Sequence, residues 1–274
     1  MQEQTDQQLL EHARSGDARA LEALLERHQS SIYRFGLGMC RNPEDAKDVL
    51  QDTLLAMARG VRDFRGASSL STWLYTIARS FCIKKRRKSR EGSTADREPD
   101  GDARDSAELV ESLRTPEEIV ATREVRQALQ QAIASLEPAY REVLLLRDVE
   151  GLTAPEVAQV MGLSVQAVKS RLHRARLAIR SQLSPLLGVP LEEARGAGSC
   201  PDVLTLVSRH LEGEVSAEVC EEMEKHVSQC PHCRSACDSL RQTLALCRTA
   251  GAAEVPAPIQ AHVKQALRNL LAGS

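Results

Sequence analysis

An all-α architecture divided among several small domains is what this 274-residue sequence predicts, from three observations. Apolar residues recur at three- and four-residue steps through most segments, the spacing of a helix with one buried face, and no long stretch alternates with a period of two. Turn residues are sparse, with 15 Gly and 11 Pro, and aromatics make up only 3% of the chain. Two polar stretches interrupt the helical pattern and leave blocks too small for one large enzyme body.

The elements follow in order. Thr5 and Asp6 cap a first helix through Arg14, and Ser15-Gly16-Asp17 breaks it and supplies a fresh cap. Ala20, Leu21, Ala23, Leu24 and Leu25 begin a stripe that runs to about Cys40. Asn42-Pro43 opens a third helix, with proline where its missing N–H costs nothing. Its apolar set is Ala46, Val49, Leu50, Thr53, Leu54 and Met57. Phe64 to Ser69 reads as a loop, and Leu70 to Lys88 as a helix ending in the cationic run Lys84 to Lys88. Residues 5–88 thus form one helical domain, followed by an acidic flexible linker over 89–124 that holds a helix start at Thr115-Pro116. A second helical domain spans 125–184, a second linker 185–199, a Cys-rich domain 200–250, and an amphipathic helix at Ile259–Leu271 closes residues 251–274.

The net charge of −2 conceals segregation. Residues 1–88 carry 15 Lys/Arg against 11 Asp/Glu, and residues 125–188 carry 8 against 5. Between them, 89–124 carry 5 against 11, and 189–274 carry 8 against 11. Two cationic blocks with an acidic linker between them suit a protein that touches a polyanion at two places. No run of about 18 apolar residues exists, so no membrane contact is expected. The N-terminus lacks a basic-then-apolar signal segment, and the expected location is cytoplasmic. Six of the 8 Cys follow residue 199, which in that compartment points to metal or redox chemistry rather than structural disulfides.

The sharpest local motif is TAPEVAQVMGLSVQAVKSRLHRARLAI, a helix-turn-helix. Ala158 lets two helices approach, Gly162 permits a left-handed turn, Ser164 caps the second helix, and Val168 and Leu172 bury its inner face. The outer face then carries Gln166, Lys169, Ser170, Arg171, His173, Arg174 and Arg176. Such a helix fits a major groove, where cations meet guanine edges or phosphates and Gln pairs with adenine.

With NPEDAKDVLQDTLLAM, FRGASSLSTWLYTIARSFCIKKRR and SLEPAYREVLLLRDVEG preceding that motif, residues 5–185 resemble the extracytoplasmic-function (ECF) sigma factors. These are the minimal two-domain specificity subunits of bacterial RNA polymerase. The resemblance implies a region 2 domain at 5–88, a region 4 domain at 125–184, and no enzymatic activity of the chain's own. It implies two partners, the polymerase core (β′ and β subunits) and promoter DNA. Asp45, Asp48, Gln51 and Asp52, at helical spacing, match the family stripe that docks on the β′ coiled coil. Work on the −10 element falls to Arg65, Ser68, Ser69, Thr72, Trp73, Tyr75 and Arg79, with Lys84, Lys85, Arg86 and Arg87 gripping phosphates. Promoter opening needs single-stranded bases held by stacking and small polar contacts. Trp73 serves either as such a platform or as core packing. Gln166, Lys169, Ser170, Arg171, His173 and Arg174 would read the −35 element. Ala58 and Ile83 depart from the family pattern and leave the promoter sequence open.

In the tail, His226 and Cys230 share a helix face and Cys233 follows the bend at Pro231. His-x3-Cys-x2-Cys gathers one imidazole and two thiolates, as tetrahedral zinc requires, and Cys200 supplies a fourth ligand. Cys220, Cys237 and Cys247 exceed the needs of one zinc ion. They read either as small buried hydrophobes or as further ligands of a soft-metal or redox sensor, since clustered thiolates select Cu(I), Zn or Cd. The segment resembles the zinc-binding anti-sigma domain, including the RHLEGEVS stretch, and the layout is similar to CorE-type metal-responsive sigma factors. The expected cofactor is zinc or another thiophilic metal, copper or cadmium. The expected regulation is intramolecular, with metal or redox state setting whether the tail packs on the sigma domains. One rival is a metal-sensing helix-turn-helix regulator that never joins polymerase, which leaves the DAKDVLQD stripe without a purpose. Another is a zinc hydrolase with Glu222 or Glu224 as base, which wants an open coordination position.

Overall fold

The computed structural model describes residues 4–91, 116–187, 200–249 and 255–272, and among these the chain is helical with no strand. Most of the two expected linkers, residues 92–115 and 188–199, lies outside the described residues. By its contacts the chain divides into two units.

The first unit is built from α1 (Asp6–Arg14), α2 (Ala18–Cys40), α3 (Pro43–Gly60), α4 (Leu70–Glu91) and the C-terminal α12 (Ala257–Ala272). Each early helix starts where a short polar side chain satisfies orphan N–H groups. Thr5 and Gln8 form a capping box on α1, Asp17 accepts from Arg19 and Ala20 N–H, and Asn42 accepts from Glu44 and Asp45 N–H. Arg41, at φ 59°, ends α2 in a left-handed turn. Leu24, Leu25, Ile32, Phe35, Met39, Leu50, Leu54, Met57 and Leu74 are almost wholly buried between α2, α3 and α4. At about 1.5–3 kcal/mol for each large side chain, this packing fixes the three helices against one another. Helix α12 lies on α3 with Val263 and Leu267 buried, and Lys264 reaches Glu26 of α2 at 2.8 Å.

The second unit holds α5 (Pro116–Ser135), α6 (Pro138–Leu144) with a π turn at Leu145–Val149, α7 (Ala154–Met161) as far as Ala158, α8 (Val165–Leu183), α9 (Val203–His210), α10 (Ala217–Gln229) and α11 (Pro231–Thr249). Helix therefore occupies both ends of the segment expected to be linker at 89–124. Thr153 and Glu156 form a capping box on α7, Gly162 takes φ 67°, and Ser164 caps α8. A β-carbon would strain that left-handed residue, which is why glycine stands there. Buried Arg141 donates to the carbonyls of Ile133, Ala134 and Leu136 and closes the end of α5. Helix α8 is the shared element, since α5, α6, α9 and α11 all pack on it. The tail adds its own core of Val203, Val207, Met223, Cys233, Ala236, Cys237, Leu240 and Leu244.

Candidate functional site

Four donor side chains converge in the tail. Cys200 precedes α9, His226 sits in the last turn of α10, Cys230 ends that helix, and Cys233 lies in the first turn of α11. Their ligand atoms all fall within 4.8 Å of one another, with Cys200 Sγ 3.9 Å from Cys230 Sγ and His226 Nε2 3.2 Å from Cys233 Sγ. A tetrahedral zinc with bonds of about 2.3 Å to sulfur requires ligand separations of about 3.8 Å, so the set fits. Burial pushes the Cys233 thiol up to about 12. The backbone N–H of Cys233 holds the Cys230 thiol below its ordinary value. Three sulfurs and one nitrogen would supply four ligands, the donor count of a closed structural zinc site rather than of a catalytic one.

The other tail thiols lie elsewhere. Cys220 Sγ is 3.1 Å from His210 Nδ1. Cys237 and Cys247 are buried on α11, Cys237 near Arg180 and Cys247 near Asp148 and Arg176. Burial raises both thiols, Cys247 to about 12. Cys237 also belongs to the apolar core of the tail.

Along α8, Gln166, Ser170 and Arg174 are exposed and Arg171 is half-buried. Arg174 Nη1 also donates to Tyr140 Oη at 3.1 Å. Lys169 and His173 are engaged by the tail. Lys169 Nζ donates to the Glu212 carbonyl at 3.2 Å and to Glu214 Oε1 at 3.0 Å, and His173 Nε2 meets Thr205 Oγ1 at 3.3 Å. Arg176, expected on the outer face, is instead buried, with its side chain 2% exposed. It pairs with Asp148 at 2.7 and 2.8 Å and with Glu212 at 2.9 Å. Helical spacing does put it on the stripe of Lys169 and His173, but the covering carboxylates come from the π turn and from the tail.

In the first unit, the loop before α4 and the start of that helix enclose a cleft of about 360 Å³ lined by Gly60, Asp63, Phe64, Arg65, Ala67, Ser68 and Trp73. The Trp73 ring lies 4.8 Å from that of Phe64 at 33°, and a β-carbon on Gly60 would sit 3.1 Å from the indole. Arg65 and Ser69 are exposed, and Ser68 and Arg79 half-buried. Thr72 is buried, its hydroxyl 2.8 Å from that of Ser69, and Tyr75 is buried edge-on against Phe35 at 5.4 Å. These two therefore brace the loop and the core rather than face outward.

Asp45, Asp48, Gln51 and Asp52 line α3, with Asp48 the most exposed. Lys85 of α4 binds Asp48 and lies 3.6 Å from Asp45, so this cation joins the acidic stripe instead of standing with Lys84, Arg86 and Arg87. The Asp48 hydrogen bond raises the Lys85 ammonium, and burial together with Asp48 raises the Asp52 carboxyl. Lys84 sits 5.1 Å over the Phe81 ring. Sequence reasoning missed Glu212 and Glu214 as partners of α8; only their place in an acidic turn after a helix end marked them.

Three families match the chain in this order: Sigma-70 region 2 over residues 24–91, Sigma-70 region 4 over 126–179, and a zinc-finger family over 200–234. The RNA polymerase sigma-H factor of Pseudomonas aeruginosa is 33% identical over 192 residues, covering 68% of this chain and 97% of that protein. The ECF RNA polymerase sigma-E factor of Escherichia coli (strain K12) is 31% identical over 187 residues, 67% of this chain and 96% of that protein. A solved structure of CnrH in complex with the cytosolic domain of CnrY is 26% identical, covers 66% of this chain and 97% of that one, and has a TM-score of 0.47. Both sigma factors leave about a third of this chain without a counterpart. Among the described residues no helix is long and apolar enough to cross a membrane.

Proposed function

The chain belongs to the extracytoplasmic-function family of RNA polymerase sigma factors, proteins that join the polymerase core and promoter DNA to initiate transcription, and from that premise we propose that its tail makes the activity depend on bound metal. The family match across nearly the whole of sigma-H sets aside a regulator that acts without polymerase. In our reading, Asp45, Asp48, Gln51 and Asp52 dock on the β′ subunit. Arg65, Ser68, Ser69 and Trp73 take an unstacked base of the −10 element into the cleft, while Lys84, Arg86 and Arg87 hold the strand's phosphates. Thr72 and Tyr75 position that loop from beneath. Gln166, Ser170, Arg171 and Arg174 read the −35 element, with Lys169 and His173 joining when the tail is displaced.

Cys200, His226, Cys230 and Cys233 would hold zinc, or another thiophilic ion such as copper or cadmium, and the bound ion would supply a cross-link between α9 and the α10–α11 pair. The convergence of those four donors, brought together by three helices of the same tail that packs on α8, carries the reading. The chain's own part is to give up thiol protons and gather its helices, so that metal affinity becomes folding free energy of the tail.

The test is run-off transcription with purified core polymerase, with zinc supplied or removed by a chelator. A Cys230→Ser chain is expected to bind core as the wild type does and to lose the metal dependence. An unchanged metal response in that variant rejects the regulation, and failure to bind core rejects the docking assignment.

A further inference from the structure

Helix α9 ends at His210, and Gly213, at φ 69°, lets the chain reverse at once. The Gly213 N–H returns to the His210 carbonyl at 2.9 Å and the Glu214 N–H to the Arg209 carbonyl at 3.0 Å. The reversal turns two carboxylates toward α8. Glu212 accepts from Arg176 at 2.9 Å and from Arg147 at 3.2 Å, and Glu214 accepts from Lys169 at 3.0 Å. The Glu212 side chain is 4% exposed, whereas those of Lys169 and Glu214 are 19% and 22% exposed. The inner pairs thus anchor the turn, while the outer pair remains within reach of solvent.

We propose that the Glu212–Gly213–Glu214 turn is an internal competitor for nucleic-acid phosphate on the recognition helix. The proposal rests on the reading of α8 as the −35 helix and adds the device by which the tail opposes it. An ammonium already paired with a carboxylate gives up no counterion when DNA arrives, and a neighbouring carboxylate repels the phosphate. Both effects lower affinity and flatten its dependence on salt. The inner pair keeps the turn seated even when Lys169 exchanges partners, so the contact at Glu214 is the one that DNA can contest.

The test uses the full-length, zinc-loaded chain and a fluorescein-labelled 30-base-pair duplex of mixed sequence, read by anisotropy over a salt series. Glu214→Gln keeps the shape, removes one charge, and is expected to bind about fivefold more tightly in 0.1 M salt. The slope of log affinity against log salt should steepen by about one. Glu221→Gln, the same charge change on exposed α10, should do neither. The proposal is overturned if Glu214→Gln, melting at the wild-type temperature, binds with wild-type affinity and slope, or if Glu221→Gln reproduces its gain. Should Glu214→Gln melt lower, Glu214→Asp, which keeps the charge but shortens the reach, must give the intermediate gain or the proposal falls. Arg174→Ala separates the two failures. If it leaves binding unchanged, the assignment of α8 to DNA is wrong; if it weakens binding while the Glu214 variants do nothing, only the competitor is wrong.

Discussion

In the loop before α4, Arg65 and Ser69 are exposed and Trp73 lies against Phe64 at an open cleft. Along α8, Arg176 is buried between Asp148 and Glu212, Lys169 is tied to Glu214, and His173 meets Thr205. Both surfaces are cationic and both suit a polyanion, but they hold their charges differently. Elsewhere in the first unit the half-buried Lys85 pairs with exposed Asp48 near solvent, where such a contact is worth about 0–1 kcal/mol and exchanges readily. The Arg176 cluster has been taken out of water, so removing one member strands the others, at a cost of about 3–5 kcal/mol. A cation is therefore available to a ligand, or spent on the fold, according to which carboxylates the chain folds over it.

The largest effect that could break this contrast is on stability. Arg176→Ala should leave Asp148 and Glu212 buried without their cation and cost about 3–5 kcal/mol in urea unfolding of the metal-loaded chain. Lys85→Ala should cost less than about 1 kcal/mol by the same measurement. Equal losses would mean that the two clusters are energetically alike despite their burial.

That contrast also marks how far the sequence could be read. Caps at Thr5, Asp17, Asn42 and Ser164 are local signals, and each helix begins beside them. Cys200, His226, Cys230 and Cys233 could be grouped from spacing and ligand chemistry, and their donor atoms do meet. Contacts between distant segments were not legible. Nothing near Arg176 in the chain announces Glu212, and nothing near Lys85 announces Asp48. Tyr75 and Thr72 carry the residue types of a base-binding surface, yet helix phase turns them onto Phe35 and Ser69. The last helix shows an apolar face, but not that α3 would receive it.

A smaller effect sharpens the open side of the comparison. Trp73 is the single tryptophan, so its fluorescence reports the cleft without a label. A mixed-sequence single-stranded decanucleotide should quench it as a base stacks there. Trp73→Ala should weaken binding of that oligonucleotide by about 10–100-fold, the 1–3 kcal/mol of one stacked base. Absence of quenching at saturating oligonucleotide would assign Trp73 to packing on Phe64 and Gly60 alone.

The smallest effect is on pH, and it sits on the covered side. Thr205 has one hydroxyl proton, and that proton goes to Asp202 Oδ2 at 2.6 Å. His173 Nε2 must then donate to Thr205, which leaves Nδ1 bare, and that atom is buried with no partner. A proton arriving there would be desolvated and would face Arg176 and Arg174, with Asp202 opposing them. Burial accordingly holds the His173 imidazolium below its ordinary value. Because the unfolded chain takes up the proton first, stability is complete above about pH 6.5 and declines as pH falls from there toward the lowered folded value. Burial likewise lowers His28 in the first unit, despite Asp6 at 3.0 Å, so the wild-type decline contains both histidines. His173→Gln isolates one of them. Its gap from the wild-type urea midpoint should narrow between pH 7.5 and 5.5, because only the wild type loses this share of stability on acidification. A gap that stays constant across that range would mean that the α8–α9 contact leaves the proton affinity of His173 unchanged on folding.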